Sequence, residues 1–287
     1  MGILIAITNA ATVAFQETLI KKLRGENNFF LIWLRMIAAL PVLAFLVTGF
    51  SSWAFPPRQF WLLIIGVNVP LEVVQFYIGY TALQRAPISL LAPLASLTSV
   101  FLIPVGYGIL GELPTRIGLV GVVAIVLGTF ALGWRIGETQ SAAESVRNIF
   151  REPASYLMLT SAFLVSISIT TTKYVFQYAP PILTAFYLTA AIGLAALLLS
   201  FRGSLRAGEA PRRLSFLAGL GLTSGVSFGL HYVGLSLLPA VYYISVKRVS
   251  VLFNVLSGKF VFSETNIRER FAGALLMVVG VILIAIG

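Results

Sequence analysis

The 287-residue chain is 58% hydrophobic and only 10% charged, with a mean hydropathy of +0.95. A soluble domain carries roughly 25% charged residues, so this composition excludes a soluble globule. Asp and Cys are absent and there is one His. The chain therefore lacks the residues that disulfides, metal clusters, cofactor ligation and Ser-His-Asp catalysis require, and we expect no enzyme. The net charge of +10 needs no nucleic-acid partner, because basic residues flank apolar stretches and suit lipid headgroups.

Apolar stretches of about 20 residues, the length that crosses a bilayer, follow one another along the chain. We predict transmembrane helices at 2–20, 29–49, 60–83, 87–110, 116–134, 154–172, 180–201, 214–237, 240–262 and 270–287. The connections are short, except for a basic loop at 202–213 and a linker at 135–152 that we expect to lie on the membrane surface.

The chain repeats itself without gaps at an offset of 152 residues (264 − 112 = 152). Matching pairs include Lys21/Lys173, Phe76/Phe228, Tyr80/Tyr232, Pro87/Pro239, Glu112/Glu264, Gly121/Gly273 and Gly128/Gly280. Each copy holds five predicted spans, an odd number, so the second copy should enter the membrane inverted. The predicted fold class is therefore an all-α integral membrane protein, with ten transmembrane helices as two inverted five-helix repeats around a central cavity. We assign 1–134 and 153–287 to the repeats of one membrane domain, a design typical of secondary transporters.

The distribution of basic residues predicts an orientation. The loops after even-numbered spans and their flanks hold five of the 20 Lys and Arg residues, which leaves fifteen (20 − 5) for the odd-numbered loops. The five are Arg58, Arg116, Lys173, Lys247 and Arg248. By the positive-inside rule, this bias favours both termini outside.

Glu72 is the strongest candidate for a substrate-binding residue. It lies about twelve residues into the span 60–83, near mid-membrane, where an ionisable group costs roughly 2.5–3.5 kcal/mol and so indicates function. Pro70 and Asn68 shortly before it predict a kinked, hydrated helix, and Asn68 joins the candidate set. The structural alternative is that Glu72 is a buried partner for a basic residue elsewhere.

Lys247 and Arg248 lie about seven residues into the span 240–262, within snorkelling reach of the interface. Either residue could line the site, or serve as an interfacial anchor or as the partner of Glu72. His231 could relay a proton or bind a substrate carboxylate, although a hydrogen-bonded core histidine is the commoner case. Glu72 and His231 are the candidates for proton coupling.

Several tyrosines could form aromatic walls for an organic substrate or cation, although tyrosines also form interface belts. These tyrosines are Tyr77, Tyr80, Tyr232, Tyr242 and Tyr243, with Tyr80 and Tyr232 the foremost. We assign structural roles to Arg35, to Glu112 and Glu264 at predicted helix starts, and to Glu17, which could pair with Lys21 four residues later. Gly221, Gly225 and Gly229 predict a ridge for close helix packing, as do Gly121/Gly128 and Gly273/Gly280 more loosely.

Two stretches and one arginine carry a family resemblance. The first stretch is Gly111-Glu112 followed by Gly121 and Gly128. The second runs from Lys247 to Phe253 and continues with Ser263-Glu264, Arg270 to Leu276 and Gly280. The arginine is Arg35 in Trp33-Leu34-Arg35-Met36. Together they resemble the EamA-type branch of the drug/metabolite transporter superfamily. The resemblance covers both halves and implies a ten-helix basket around a central cavity, with cytoplasmic termini, opposite to the charge bias.

The sequence predicts a secondary transporter that exports or exchanges a small polar organic metabolite such as an amino acid by alternating access. The alternatives are a phosphorylated substrate (a sugar phosphate, a nucleotide sugar or a flipped lipid-linked phosphate), a multidrug or amine exporter, an intramembrane enzyme, a channel and a scaffold. The expected partners are the lipid bilayer, most simply the bacterial inner membrane, and a small-molecule substrate. Substrate identity, transport direction, coupling ion and the choice between monomer and homodimer stay open.

Overall fold

The computed structural model describes residues 1–21, 27–86, 91, 94–133, 152–200, 210–253 and 267–287. Its helices are α1 (Gly2–Lys21), α2 (Asn28–Phe50), α3 (Arg58–Arg85), α4 (Thr98–Leu110), α5 (Arg116–Gly133), α6 (Pro153–Val175), α7 (Pro181–Leu199), α8 (Ala210–Leu237), α9 (Ala240–Lys247) and α10 (Ile267–Ile286). No strand occurs within these ranges. Pro87, Glu264, the linker and the loop 202–209 lie outside the described residues.

Within the described residues, four helices are long and apolar enough to cross a membrane: α2, α3, α6 and α7. Shorter apolar segments lie in α1, α5 and α10 and at Leu94–Leu110. Large apolar side chains in mid-helix point outward, among them Phe45 at 71% exposure and Leu62 and Leu194 at about 60%. Apolar surface of this kind is stable against lipid, so the chain is an integral membrane protein.

Helix α3 contains a π turn just before Pro70, at the place where the sequence predicted a kink. Residues Ile64–Asn68 are π-helical, and the Val69 N–H donates to the Ile64 carbonyl, five residues back. Pro70 has no N–H, and its ring would collide with the carbonyl four residues earlier in a regular helix. The wider turn accommodates this ring and places Glu72 in the first turn of the α-helix that follows.

The segments that contain α4 and α9 are interrupted at equivalent positions. The Leu97 N–H donates to the Leu94 carbonyl at 3.1 Å, and the Val249 N–H donates to the Val246 carbonyl at 3.0 Å. The offsets agree (249 − 97 = 246 − 94 = 152). The span predicted at 240–262 is therefore not one uninterrupted helix, since α9 ends at Lys247 and Arg248 and Val249 form a turn.

Glycines allow close contact between helices of different repeats, as their spacing predicts. A Cβ added at Gly121 would lie 2.7 Å from the Gly280 carbonyl oxygen, and one at Gly128 would lie 2.7 Å from that of Gly273. Residue numbers at the contact rise along α5, from Gly121 to Gly128, while they fall along α10, from Gly280 to Gly273. These two helices are therefore antiparallel. The predicted ridge of Gly221, Gly225 and Gly229 likewise packs on α2, against Ala38, Val42 and Leu46.

The first helix of each repeat packs on the third helix of the other. Asn9 of α1 donates to the Ser227 carbonyl of α8 at 2.5 Å. Ser161 of α6 donates to the Gln75 carbonyl of α3 at 3.1 Å. Donors and acceptors are both related by the repeat offset (161 − 9 = 227 − 75 = 152). Helices α3 and α8 therefore meet partners from both repeats and carry side chains toward the boundary between them.

Candidate functional site

Glu72 sits near the middle of α3 and is held by neutral donors. Its Oε1 accepts from the Ser168 hydroxyl of α6 at 2.6 Å, and its Oε2 accepts from the Gln75 side-chain amide at 2.7 Å. Glu72 also interacts electrostatically with Lys247 and Arg35. A carboxylate at this depth is therefore oriented by two hydrogen bonds and lies in the field of two cations from other helices.

Lys247, at the end of α9, lies beside the histidine. Its Nζ is 3.4 Å from Nδ1 of His231 on α8. The His231 ring packs against Tyr232 and Tyr243, with centroids 5.5 Å and 5.3 Å away, and Tyr232 interacts electrostatically with Glu72. The structure thus gathers five of the predicted site residues into one group.

Arg35 of α2, which the sequence analysis assigned to the framework, also belongs to this group. Its Nη1 donates to the Tyr80 hydroxyl at 3.2 Å, and its Nη2 donates to the Gln16 side-chain oxygen at 3.0 Å. The guanidinium lies 5.7 Å and 5.0 Å from the ring centroids of Phe76 and Phe228. Its position, about six residues into a predicted span, was the sequence signal for such a role, whereas its match to the family pattern favoured a structural one. We name Arg35, Glu72, His231 and Lys247 the polar centre.

The four side chains of the polar centre keep part of their surface accessible, whereas Tyr80, Tyr232 and Gln16 beside them are buried. Charged groups deep in a membrane protein are costly unless they face a polar space or one another. This pattern fits side chains that face a polar space or one another. Among the described residues, no three His, Cys, Asp or Glu side chains group to hold a metal ion.

Three further candidates have other surroundings. The Asn68 amide contacts the hydroxyls of Thr171 and Thr172 at 3.2 Å and 2.6 Å, which ties the π turn to α6. Tyr77 is 42% exposed and stacks on Phe29, so it does not share the environment of Tyr80. Arg248 donates to the Thr98 hydroxyl at 3.1 Å and so links the two interrupted segments.

A second charged group joins the repeats near the start of α9. Glu112 forms an ion pair with Lys173 and accepts the Ala240 N–H at 2.9 Å. Lys173 also donates to the Leu238 carbonyl at 2.6 Å, and the Tyr242 hydroxyl accepts the Thr115 N–H at 2.7 Å. We name this group the clasp; its residues are Glu112, Thr115, Lys173, Leu238, Ala240 and Tyr242.

The clasp corrects one detail of the sequence analysis. Glu112 was expected to favour the start of the helix that follows it, yet its carboxylate caps α9 of the other repeat. Gly111 explains the geometry, because its φ of +69° ends α4 in a left-handed turn and redirects the chain at Glu112. Glu264 lies outside the described residues, and so does the Glu17 side chain.

A helical membrane protein with an accessible group of charged side chains between its helices has the architecture of a membrane transporter. Residues 1–134 and 153–286 each match the EamA-like transporter family. The chain belongs to this family, and it is therefore a membrane transporter of the drug/metabolite transporter superfamily.

Comparison with solved structures supports the fold. A structure titled "Crystal structure of protein" is similar over 99% of this chain and 98% of its own, with a TM-score of 0.78 and 15% sequence identity. At that identity the likeness concerns the fold alone. No curated protein matches the chain.

Proposed function

We propose that this chain is a secondary active transporter that exports or exchanges a small polar organic metabolite such as an amino acid. The observation that carries the proposal is the polar centre, in which one carboxylate and two cations from different helices lie together with accessible surface. Glu72 would bind the amino group of a zwitterion, and the cations would attract its carboxylate. Tyr80 and Tyr232 would form walls around it. No enzymatic step is part of this proposal.

The mechanism we propose is alternating access by two inverted repeats. Helices α5 and α10 hold the same position in their repeats and run antiparallel, as inversion requires. The matched hydrogen bonds of Asn9 and Ser161, and the matched interruptions before α4 and after α9, also favour it. Interrupted helices near a repeat boundary are where such transporters bind substrate.

We further propose that transport is coupled to protonation of Glu72 or His231. Glu72 is deep and keeps accessible surface, so a proton and the amino group of a substrate would compete for its carboxylate. His231 lies beside Lys247, so a proton on its ring would act on the same group of side chains. If so, Glu72→Gln and His231→Gln variants should lose the pH dependence of transport.

A phosphorylated substrate is the second candidate. Lys247 and Arg248 are adjacent at the interruption that follows α9, and two cations there would suit a phosphate. Arg248, however, donates to Thr98 of the other repeat. A zwitterion would contact both the Glu72 carboxylate and the cations of the polar centre, whereas a phosphate would contact the cations alone.

The test is substrate counterflow in proteoliposomes loaded with individual amino acids, with sugar phosphates as a comparison panel. We expect saturable amino-acid exchange that falls roughly 10- to 100-fold in Glu72→Gln, the range expected for losing a charged hydrogen-bond partner. The matched control is Glu152→Gln, the same chemical change at an exposed residue before α6. Exchange of sugar phosphates alone would replace the proposal with the second candidate, and uptake without saturation would indicate a pore.

A further inference from the structure

Arg35 is a charged residue whose described partners are all neutral. Its hydrogen bonds go to a phenol and to an amide oxygen, and its other close contacts are two phenylalanine rings. Among the described residues it forms no ion pair; Glu72 acts on it through electrostatic interaction alone. A guanidinium deep in a membrane protein ordinarily has a counter-ion. Within the described part of the chain, neutral groups hold this one in place.

The guanidinium also keeps hydrogen-bonding capacity. It carries five N–H groups, and the described contacts use two of them. The Nε–H is buried with no partner in the described part of the chain, while the residue keeps accessible surface. A carboxylate can accept two parallel N–H bonds from such a planar fork, an arrangement that a lysine ammonium cannot reproduce.

The surroundings hold Arg35 at the boundary between the repeats. Phe76 of α3 and Phe228 of α8 are equivalent by the repeat offset (228 − 76 = 152), and both lie beside its guanidinium. The equivalent of Arg35 itself is Tyr187, which instead packs on Trp61 and donates to the Ala54 carbonyl. Of the two equivalent positions, only 35 carries a cation, and it lies beside the equivalent rings of Phe76 and Phe228. This asymmetry suits recognition of an asymmetric ligand.

From these observations, and resting on the transport function proposed above, we infer that Arg35 is a substrate-binding residue that selects substrates carrying a carboxylate group. Its fork receives the carboxylate through the second N–H of Nη1 and of Nη2, which the bonds to Tyr80 and Gln16 leave unused. Phe76 and Phe228 keep the guanidinium plane in position through their ring faces. Glu72 stands at the opposite, amine-binding end of the same site.

The experiment measures ligand-induced thermal stabilisation of the full chain in detergent. The probes are free L-amino acids, each compared with its carboxamide and its decarboxylated amine, which differ from it only at the carboxylate. We expect wild type to prefer the acid form. In Arg35→Lys, which keeps the charge and loses the fork, affinity for the acid form should fall roughly 10- to 100-fold, while affinity for the carboxamide changes little.

Matched variants separate binding from folding. Arg58→Lys makes the same change at an exposed arginine at the start of α3 and should leave every affinity unchanged. Arg35→Met should abolish the preference for the acid form completely. If Arg35→Lys lowers the ligand-free melting temperature and weakens acid and carboxamide equally, Arg35 is structural and the inference is overturned.

Failure of the inference differs from failure of the proposed function. If wild type binds amino acids, loses them in Glu72→Gln and keeps its full preference for the carboxylate in Arg35→Lys, the inference fails and the transport proposal stands. If no free amino acid stabilises wild type at any concentration tested, both fail.

Discussion

The clasp and the polar centre each contain one carboxylate, which lies near one lysine in the clasp and near a lysine and an arginine in the polar centre, yet their contacts differ. In the clasp, Glu112 touches its cation directly and also caps a helix. In the polar centre, the described hydrogen bonds of Glu72 and of Arg35 go to neutral groups instead. Glu112 and Lys173 satisfy each other, whereas Glu72 and Arg35 are oriented and kept apart.

This difference indicates which group stabilises the fold and which binds a ligand. A carboxylate whose acceptor positions are taken by a lysine and a backbone N–H has little left to offer a substrate. A carboxylate and a guanidinium held apart by neutral partners retain their charges for a third molecule. Arranging charges in this way costs stability, as buried unpaired ions do.

The largest expected difference between the two groups is in thermal stability. Glu112→Gln should lower the free energy of unfolding by about 2–3 kcal/mol, because Lys173 loses its counter-ion and α9 loses a charged cap. Glu72→Gln should cost less stability than Glu112→Gln, since glutamine removes a deep charge, can still accept from Ser168, and can donate to the Gln75 side-chain oxygen once that amide turns over. Melting temperatures of the two variants test this, and a greater loss in Glu72→Gln would reverse the assignment of roles.

A double-mutant cycle should sharpen the contrast. Glu112→Gln and Lys173→Met should couple by about 1–2 kcal/mol, because the two side chains touch. Glu72→Gln and Arg35→Met should couple by no more than about 0.5 kcal/mol without ligand, because no described contact joins them. Melting curves of single and double variants give both values. Equal coupling in the two pairs would mean that Glu72 and Arg35 form a structural pair.

The smallest expected effect comes from removing one hydroxyl in each group. Tyr242→Phe should cost about 1 kcal/mol of stability, because the Thr115 N–H loses its acceptor. Tyr80→Phe should change ligand-free stability by less than about 0.5 kcal/mol and weaken amino-acid binding a few-fold, because Arg35 keeps its other partners. Melting temperatures with and without ligand separate the two effects; identical behaviour of both variants would contradict the comparison.

The sequence predicted much of the fold because its strongest signals are local. The apolar length of each span, Pro70 ahead of Glu72, and the glycine spacing each depend on a few neighbouring residues. The four long apolar helices, the π turn and the close glycine contacts agree with these signals. The interruption at Arg248 and Val249 was missed because no proline or glycine marks it. It became visible only from backbone hydrogen bonds that match those at Leu97.

The sequence by itself determined the family and the repeat, since hydrophobic length and a fixed offset can be read along the chain; the depth of Glu72 stays a prediction from the same signals. Only the tertiary structure decided which charges meet. Glu112 caps a helix 128 residues away, and Arg35 reaches Tyr80 and Gln16 on two other helices. The physical reason is that helix spacing limits which residues share a face, whereas pairing between helices depends on how their glycine ridges allow them to cross.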